Sequence, residues 1–425
     1  MLNLCSIIKS CKQIWTICLM MVLCHFATPS ILFSTLYDPV ALYLTWQRSP
    51  DTTMTIRWIT PLDRQQDTVE YRAEGSPLWI SCEGQHAEMP CDAPYFIHSV
   101  ELTNLLPGTN YFFRTGEDAF IYKFQTMPSE LLTPLNFVVG GDMYHDSLDV
   151  LHETNLQAAK TNPLFALVGG DVAYAADKKV GVLPRWTHAW IDLLVGQKPD
   201  RWLEWLIAWK QDMVTPDGRL IPMLPVLGNH DTSGRFGQTP AQAPFFYALF
   251  ATPGLQGYNV IDFGNYMSIV LLDSGHTHPI NGQQTAWLAS TLAQRQEVMH
   301  TFAIYHVPAF PSVRKSNDEY CSQVRKNWTP LFEQFHLTSA FENHDHCYKR
   351  TFPIKNGQID RAGVIYIGDG AWGVEHPRKP RKLIQKWYLA HTASERHFIS
   401  VTLKGDRRHV KAINSKGKII DEIEW

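Results

Sequence analysis

Five widely separated apolar runs end on side chains able to bind a metal ion. Asp142 ends the first, and Asp171, with Tyr174 three residues on, ends the second. Asn229-His230-Asp231 follows the third, His306 the fourth, and His344 with His346 the fifth. Taken singly, each has an ordinary reading. Gly-Gly-Asp makes a tight turn, Gly-Asn-His-Asp caps a helix, and a lone histidine past a strand is commonly a satisfied core or surface residue. Together they form a donor set for two di- or trivalent ions. Ions about 3.5–4 Å apart need a shared carboxylate and three or four further donors each. Asp171 can bridge through its two oxygens. Asp142, Tyr174 and His346 can complete one ion, and Asn229, His306 and His344 the other. The His-x-His spacing of 344 and 346 then sends one imidazole to each ion. Such a pair acidifies a bound water. A hard phenolate donor favours Fe(III), which keeps hydroxide available at acidic pH. His230 is left for acid–base work at the site. A second His-x-His, in Gly275-His276-Thr277-His278, competes with the 344/346 pair on spacing alone.

The elements that must position these groups are legible as patterns. From Leu135 onward, "LNFVVGGD", "LFALVGGD", "MLPVLGNHD", "YMSIVLLDSG", "TFAIYHVP", "LTSAFENHDH" and "GVIYIGDG" are apolar runs that stop on Gly, Asp, Asn or His, with helical segments between them. Strands alternating with helices indicate an α/β domain whose polar strand ends form the active rim. Trp202, Trp205, Leu206, Trp209 and Met213 have helical spacing and read as core packing. The stretch 178–200 reads as an excursion near the rim. Residues 36–128 differ: short alternating runs separated by turn residues predict six or seven strands in an antiparallel sandwich. The segment "LLPGTNYFFR" resembles a turn and strand of fibronectin type III modules. Pro128–Pro134 reads as the linker, and the catalytic domain is expected over 133–425.

A chain of 425 residues exceeds one ordinary core and suggests two domains. A net charge of −3 and the lack of a long basic run give no footprint for nucleic acid, so no nucleic-acid partner is expected. Lys9 and Lys12 precede the apolar run Ile14–Ala27, a secretory signal pattern over residues 1–30. The run is shorter than the roughly 20 residues that span a bilayer. Export without stable membrane insertion is the expectation, with an uncleaved N-terminal anchor as the alternative. Of eight cysteines, four lie in that leader. Cys82 with Cys91, and Cys321 with Cys347, are each open to a disulfide or to free thiols.

Asp142, "GDVAY" (Gly170–Tyr174), "GNHD" (Gly228–Asp231), "AIYH" (Ala303–His306) and "NHDH" (Asn343–His346) resemble, in order, the five blocks of the purple acid phosphatases, which are calcineurin-like metallophosphoesterases. The resemblance implies a fibronectin III-like β-sandwich followed by an α/β metallophosphoesterase domain of two packed sheets flanked by helices. It implies Fe(III) on Asp142, Asp171, Tyr174 and His346, and a second divalent ion (Fe, Zn or Mn) on Asp171, Asn229, His306 and His344. It places His230 near the phosphate with Asp231 orienting its ring. Family order selects His344 and His346 as ligands and leaves His276 and His278 as surface-loop residues near the rim. Asn343 stands where the family usually has Gly, and Ala303 where it usually has Val. No histidine follows His306 in the next loop, where the family often has substrate-facing ones, and His145 is open to a compensating role. The implied activity is hydrolysis of phosphate monoesters on a small-molecule substrate by a metal-bound hydroxide. A phosphodiesterase on the same fold, acting on nucleotides or lipid head groups, and a homometallic Zn or Mn esterase are the alternatives.

Overall fold

The computed structural model describes residues 39–116, 120–176, 197–232, 235–250, 257–368, 370–380 and 386–425. The leader and most of the 178–200 excursion lie outside these residues. Two four-stranded antiparallel sheets come first. One has the order β1 (Ala41–Thr45), β2 (Met54–Pro61), β6 (Tyr95–Leu102), β5 (Gln85–Glu88). The other has β4 (Ile80–Glu83), β3 (Thr68–Ala73), β7 (Asn110–Thr115), β8 (Tyr122–Gln125). Strands β4 and β5 are additions to the runs read from sequence. They are polar and largely exposed, so they carry no alternating apolar signal.

Two larger sheets follow. The six-stranded one has parallel strands β9 (Leu135–Gly140), β10 (Ala166–Val168) and β11 (Met223–Pro225). It is extended on the β9 side by antiparallel β21 (His397–Lys404), β22 (Arg407–Asn414) and β23 (Ile419–Glu424). The seven-stranded sheet runs β12 (Asn259–Phe263), β13 (Met267–Leu271), β14 (His300–Ile304), β15 (Ser339–Glu342), β19 (Ile365–Gly368), β16 (Tyr348–Thr351), β20 (Leu389–Ala393). Within it, β13, β14, β15 and β19 are mutually parallel. A small hairpin, β17 (Ile354–Lys355) with β18 (Gln358–Ile359), completes the set.

Strand periodicity explains the layering. In β9, Phe137 and Val139 join the core between the two large sheets, whereas Val138 faces outward to a second core. In β14, Phe302 and Ile304 face the inter-sheet core, and Ala303, with Tyr305 just past the strand, faces the opposite side. Phe137 meets Phe302 and Phe341 edge-on at 5.7 and 6.4 Å across that interior. Helices α1 (Leu148–Lys160) and α2 (Pro199–Asp212) cover the six-stranded sheet. The short helix α3 (Pro244–Leu249) contributes Phe245, Phe246 and Leu249 to the same core. Helices α4 (Gln283–Ala293), α5 (Glu319–Asn327) and α6 (Thr329–Gln334) cover the seven-stranded sheet. Ser147 caps α1 through its hydroxyl, with Asp149 in the first turn. The stripe Trp202, Trp205, Leu206, Trp209 and Met213 is buried, as its spacing requires.

The N-terminal sheets dock on this body. Trp46 packs edge-on against Phe165 and Phe263, and the Tyr43 hydroxyl donates to the Leu249 carbonyl at 2.7 Å. Cys82, Cys91 and Cys321 carry free thiols, and no disulfide joins Cys321 to Cys347. Among the described residues no helix is long and apolar enough to cross a membrane.

Candidate metal centre

The parallel strands of both large sheets end at one rim. Asp142 follows β9, Asp171 follows β10, and Asn229 follows β11. His306 follows β14, and His344 and His346 follow β15. With Tyr174, three residues past Asp171, seven residues from five strand ends thus converge from two sheets. Two groups of donor atoms, each within 4.8 Å, result: Asp142, Asp171 and His346, and Asp171, His306 and His344. Asp171 belongs to both.

The contacts are specific. The Asp142 Oδ1 atom accepts the Tyr174 hydroxyl at 2.9 Å and lies 2.8 Å from His346 Nε2. Its Oδ2 accepts the His344 backbone N–H at 2.9 Å. The Asp171 Oδ2 atom lies 3.3 Å from His306 Nε2, while Oδ1 accepts the His230 backbone N–H at 2.7 Å. The His306 Nδ1–H donates to the Gly169 carbonyl at 2.8 Å, which aims Nε2 at the centre. A Cβ at Gly228 would sit 2.1 Å from the Asp171 backbone nitrogen, so the Gly-Asn-His-Asp turn closes this tightly only with glycine.

The donor set fits metal ions on three observations. First, Asp142 and Asp171 are 0 and 1% exposed, and the set contains no Lys or Arg to neutralise them. Buried carboxylates left without a cation are costly. Second, Asn229 Oδ1 is buried and has no hydrogen-bond partner. Third, Asp142, Asp171, Tyr174, His344 and His346 all adopt positive φ, from 49 to 78°. The left-handed region costs a non-glycine residue about 1–2 kcal/mol. Five such residues aimed at one point indicate strain held for a function. Burial and the Asp142 and Asp171 charges push the Tyr174 hydroxyl well above the usual phenol range, so a cation is needed to make it a phenolate donor. Burial pulls the His306 imidazole down, but the Asp171 and Asp142 charges outweigh it and raise the group to about 9.

His230 is half-buried, its ring stacked on Tyr174 at 4.6 Å. Burial holds its pKa below the ordinary value despite the Asp171 charge. The Asp231 carboxylate is turned to backbone amides. Its Oδ1 accepts the Val172 N–H and its Oδ2 the Gly228 N–H, both at 2.8 Å. It braces the two loops that carry Asp171 and Asn229. Burial and the nearby Asp171 charge raise its pKa to about 7. Asn343, the departure from glycine, turns its amide to the Tyr305 carbonyl at 3.1 Å. A Cβ at Gly169 would lie 2.0 Å from that amide nitrogen, so Gly169 makes the room for it.

The other histidines fall differently from their sequence reading. His145 reaches the rim, its ring 4.9 Å from Tyr174 and 4.8 Å from His346, with Nδ1 on Asp146. His276, expected on a surface loop, is wholly buried. Its ring lies 5.5 Å from that of His306. Asp273, which ends the β13 run, draws it in. The signal was present as Asp-x-x-His, but nothing local gives its depth. His278 stays partly exposed.

Residues 39–126 match the family model described as purple acid phosphatase, N-terminal domain. The chain is 25% identical over 281 residues to purple acid phosphatase 21 of Arabidopsis thaliana, a match covering 64% of this chain and 58% of that protein. The chain therefore spans little more than half the length of that relative. It is 23% identical over 433 residues to acid phosphatase type 7 of Mus musculus, covering 91% of this chain and 90% of that protein. Among solved structures, purple acid phosphatase PPD1 from yellow lupin (Lupinus luteus) seeds has a TM-score of 0.69 at 14% identity, covering 91% of this chain and 74% of that one. The structure of PhoD gives 0.64 at 11% identity, covering 92 and 93%. The architecture of sheets and helices is shared with both.

Proposed function

We propose that this chain, a purple acid phosphatase by its N-terminal domain, its relatives and its fold, is an exported two-metal phosphatase of phosphate monoesters. The observation that carries the reading is Asp171, shared by two convergent donor groups at one rim. Asp142, Tyr174 and His346 would hold Fe(III) with it, and Asn229, His306 and His344 a second ion of iron, zinc or manganese. When bound, the ions supply Lewis acidity and an acidified water. The protein supplies the rest. The Asp231 carboxylate locks the loops of Asp171 and Asn229 together. His230, fixed by its stack on Tyr174, offers a ring nitrogen at the rim for a phosphoryl oxygen or the leaving alkoxide. Cations held by these strand ends would favour a phosphorylated small molecule at this rim, and the basic-then-apolar leader supports export.

The test is hydrolysis of p-nitrophenyl phosphate against bis(p-nitrophenyl) phosphate from pH 4 to 8, with the visible spectrum of the oxidised protein. The reading expects monoester preference, an optimum below neutrality, and an absorption band that Tyr174→Phe abolishes. Diester preference would turn the reading to a phosphodiesterase, and a colourless, iron-loaded wild type would remove Tyr174 from the ligand set.

A further inference from the structure

Among the described residues, His276 is the one buried histidine at the rim that the proposed ligand set does not use. Asp273 is wholly buried and gathers the loop around it. Its Oδ1 accepts the His276 backbone N–H at 2.7 Å and faces His276 Nδ1 at 3.0 Å. Its Oδ2 accepts the Thr277 N–H, the Thr277 hydroxyl and the His278 N–H at 2.7–2.8 Å. Gln284 holds the Asp273 backbone on both sides, at 2.9 Å each. A carboxylate held by four other donors accepts only, so the imidazole carries its proton on Nδ1 and presents a lone pair at Nε2. The ring is fixed from behind by its carbonyl, which accepts the Gln238 N–H at 2.8 Å, and it packs against Phe236 and His306.

That Nε2 atom is buried and has no hydrogen-bond partner, the same condition as Asn229 Oδ1. A protein rarely builds an oriented, buried acceptor with nothing to meet it. At 5.5 Å between ring centroids from His306, His276 stands beside the half of the centre formed by Asp171, His306 and His344. Its Nε2 is not among those convergent donors. We infer that His276 is a specificity-determining residue whose Nε2 accepts a hydrogen bond from a hydroxyl on the bound phosphoryl group. This rests on the phosphatase reading above and deepens it. A phosphate group with its second pKa near 6 carries a P–OH below neutral pH. A monoester therefore offers this hydroxyl under acidic conditions, and a diester has none. Asp273 acts as the positioning residue that fixes the tautomer.

The experiment compares wild type, His276→Phe and His276→Gln for metal content, binding of inorganic phosphate by calorimetry at pH 5, and kinetics on p-nitrophenyl phosphate and bis(p-nitrophenyl) phosphate. The phenylalanine keeps the ring packing and removes Nε2. We expect unchanged metal content, phosphate binding weakened about tenfold or more, and a KM for the monoester raised in parallel. Diester turnover should change less than about twofold, and His276→Gln should recover part of the phosphate affinity. Should His276→Phe fail to fold, His276→Asn, too short to reach, takes its place with the same expectation. Unchanged phosphate affinity, or loss of metal, overturns the inference. A wild type that neither binds phosphate nor turns over either ester breaks the underlying reading instead.

Discussion

At the scale of single residues, the centre shows two ways in which a side chain serves a site. Asp142, Asp171, Tyr174, His344 and His346 take left-handed backbone conformations that oppose folding locally, and together they aim donors at one place. Asp231 and Asp273 spend their charge on backbone N–H groups and on a histidine, and so fix the loops from behind. His230 belongs to neither class. It makes no part of the donor groups and offers its ring at the rim. His230→Ala should therefore retain the wild-type metal content while kcat on alkyl phosphates falls by roughly 10²–10⁴. The loss should shrink on p-nitrophenyl phosphate, whose leaving group needs no proton. Equal losses on both substrates, measured alongside metal content, would argue against a proton-donating role.

At the scale of elements, strand ends deliver the donor groups, and each strand must be held in register behind them. A buried ion pair does this for β15. Glu342 and Lys349 are 0% exposed, and the lysine ammonium meets the Glu342 carboxylate and the Phe310 carbonyl. The other Glu342 oxygen accepts the Tyr305 hydroxyl at 2.7 Å and the Ala309 N–H at 2.6 Å, tying β15 to the segment after β14. Lys349→Met leaves that carboxylate buried and unpaired. Unfolding in denaturant should show a loss of about 3–5 kcal/mol, and a loss under about 1 kcal/mol would mean that the pair is not what holds the strand. The donor positions at the strand ends were readable in the sequence because each parallel strand is a near-continuous apolar run that stops abruptly on Gly, Asp, Asn or His. His276 was misplaced because its burial depends on Asp273, Phe236 and Gln284, which meet only in the fold. The bracing contacts of Asp231 were not legible, because a carboxylate beside a histidine in sequence gives no sign that backbone amides elsewhere will meet both its oxygens. The C-terminal strands β21–β23 carry alternating residues but no feature that marks their partner, so their place beside β9 was not legible.

At the scale of the whole molecule, the rim exists because two sheets pack face to face and stay aligned. One clasp between them is His300, at the start of β14 in the seven-stranded sheet. Its Nε2–H donates to the Gly405 carbonyl at 2.8 Å, and its Nδ1 accepts the Arg408 guanidinium N–H at 2.9 Å, both from the β21–β22 hairpin of the other sheet. Only the neutral ring makes both bonds. Burial lowers its pKa to about 4, the Gly405 carbonyl working against this and the Arg408 charge adding to it. A histidine with a depressed folded-state pKa binds its proton more readily when unfolded. Its contribution is therefore complete above about pH 6.5 and is lost as the pH falls towards 4. The loss should amount to about 2 kcal/mol. Denaturant midpoints measured across that range should fall more steeply for wild type than for His300→Gln, and parallel slopes would remove His300 from the account.

The central claim is that one carboxylate, Asp171, joins two ion sites assembled from both sheets. Metal content per chain, measured by mass spectrometry on wild type, His344→Ala and His346→Ala, tests it most directly. The account predicts two ions in wild type and the loss of at least one in each variant, because each histidine serves a different half of the centre. A wild type holding a single ion, or variants that keep both, would contradict it.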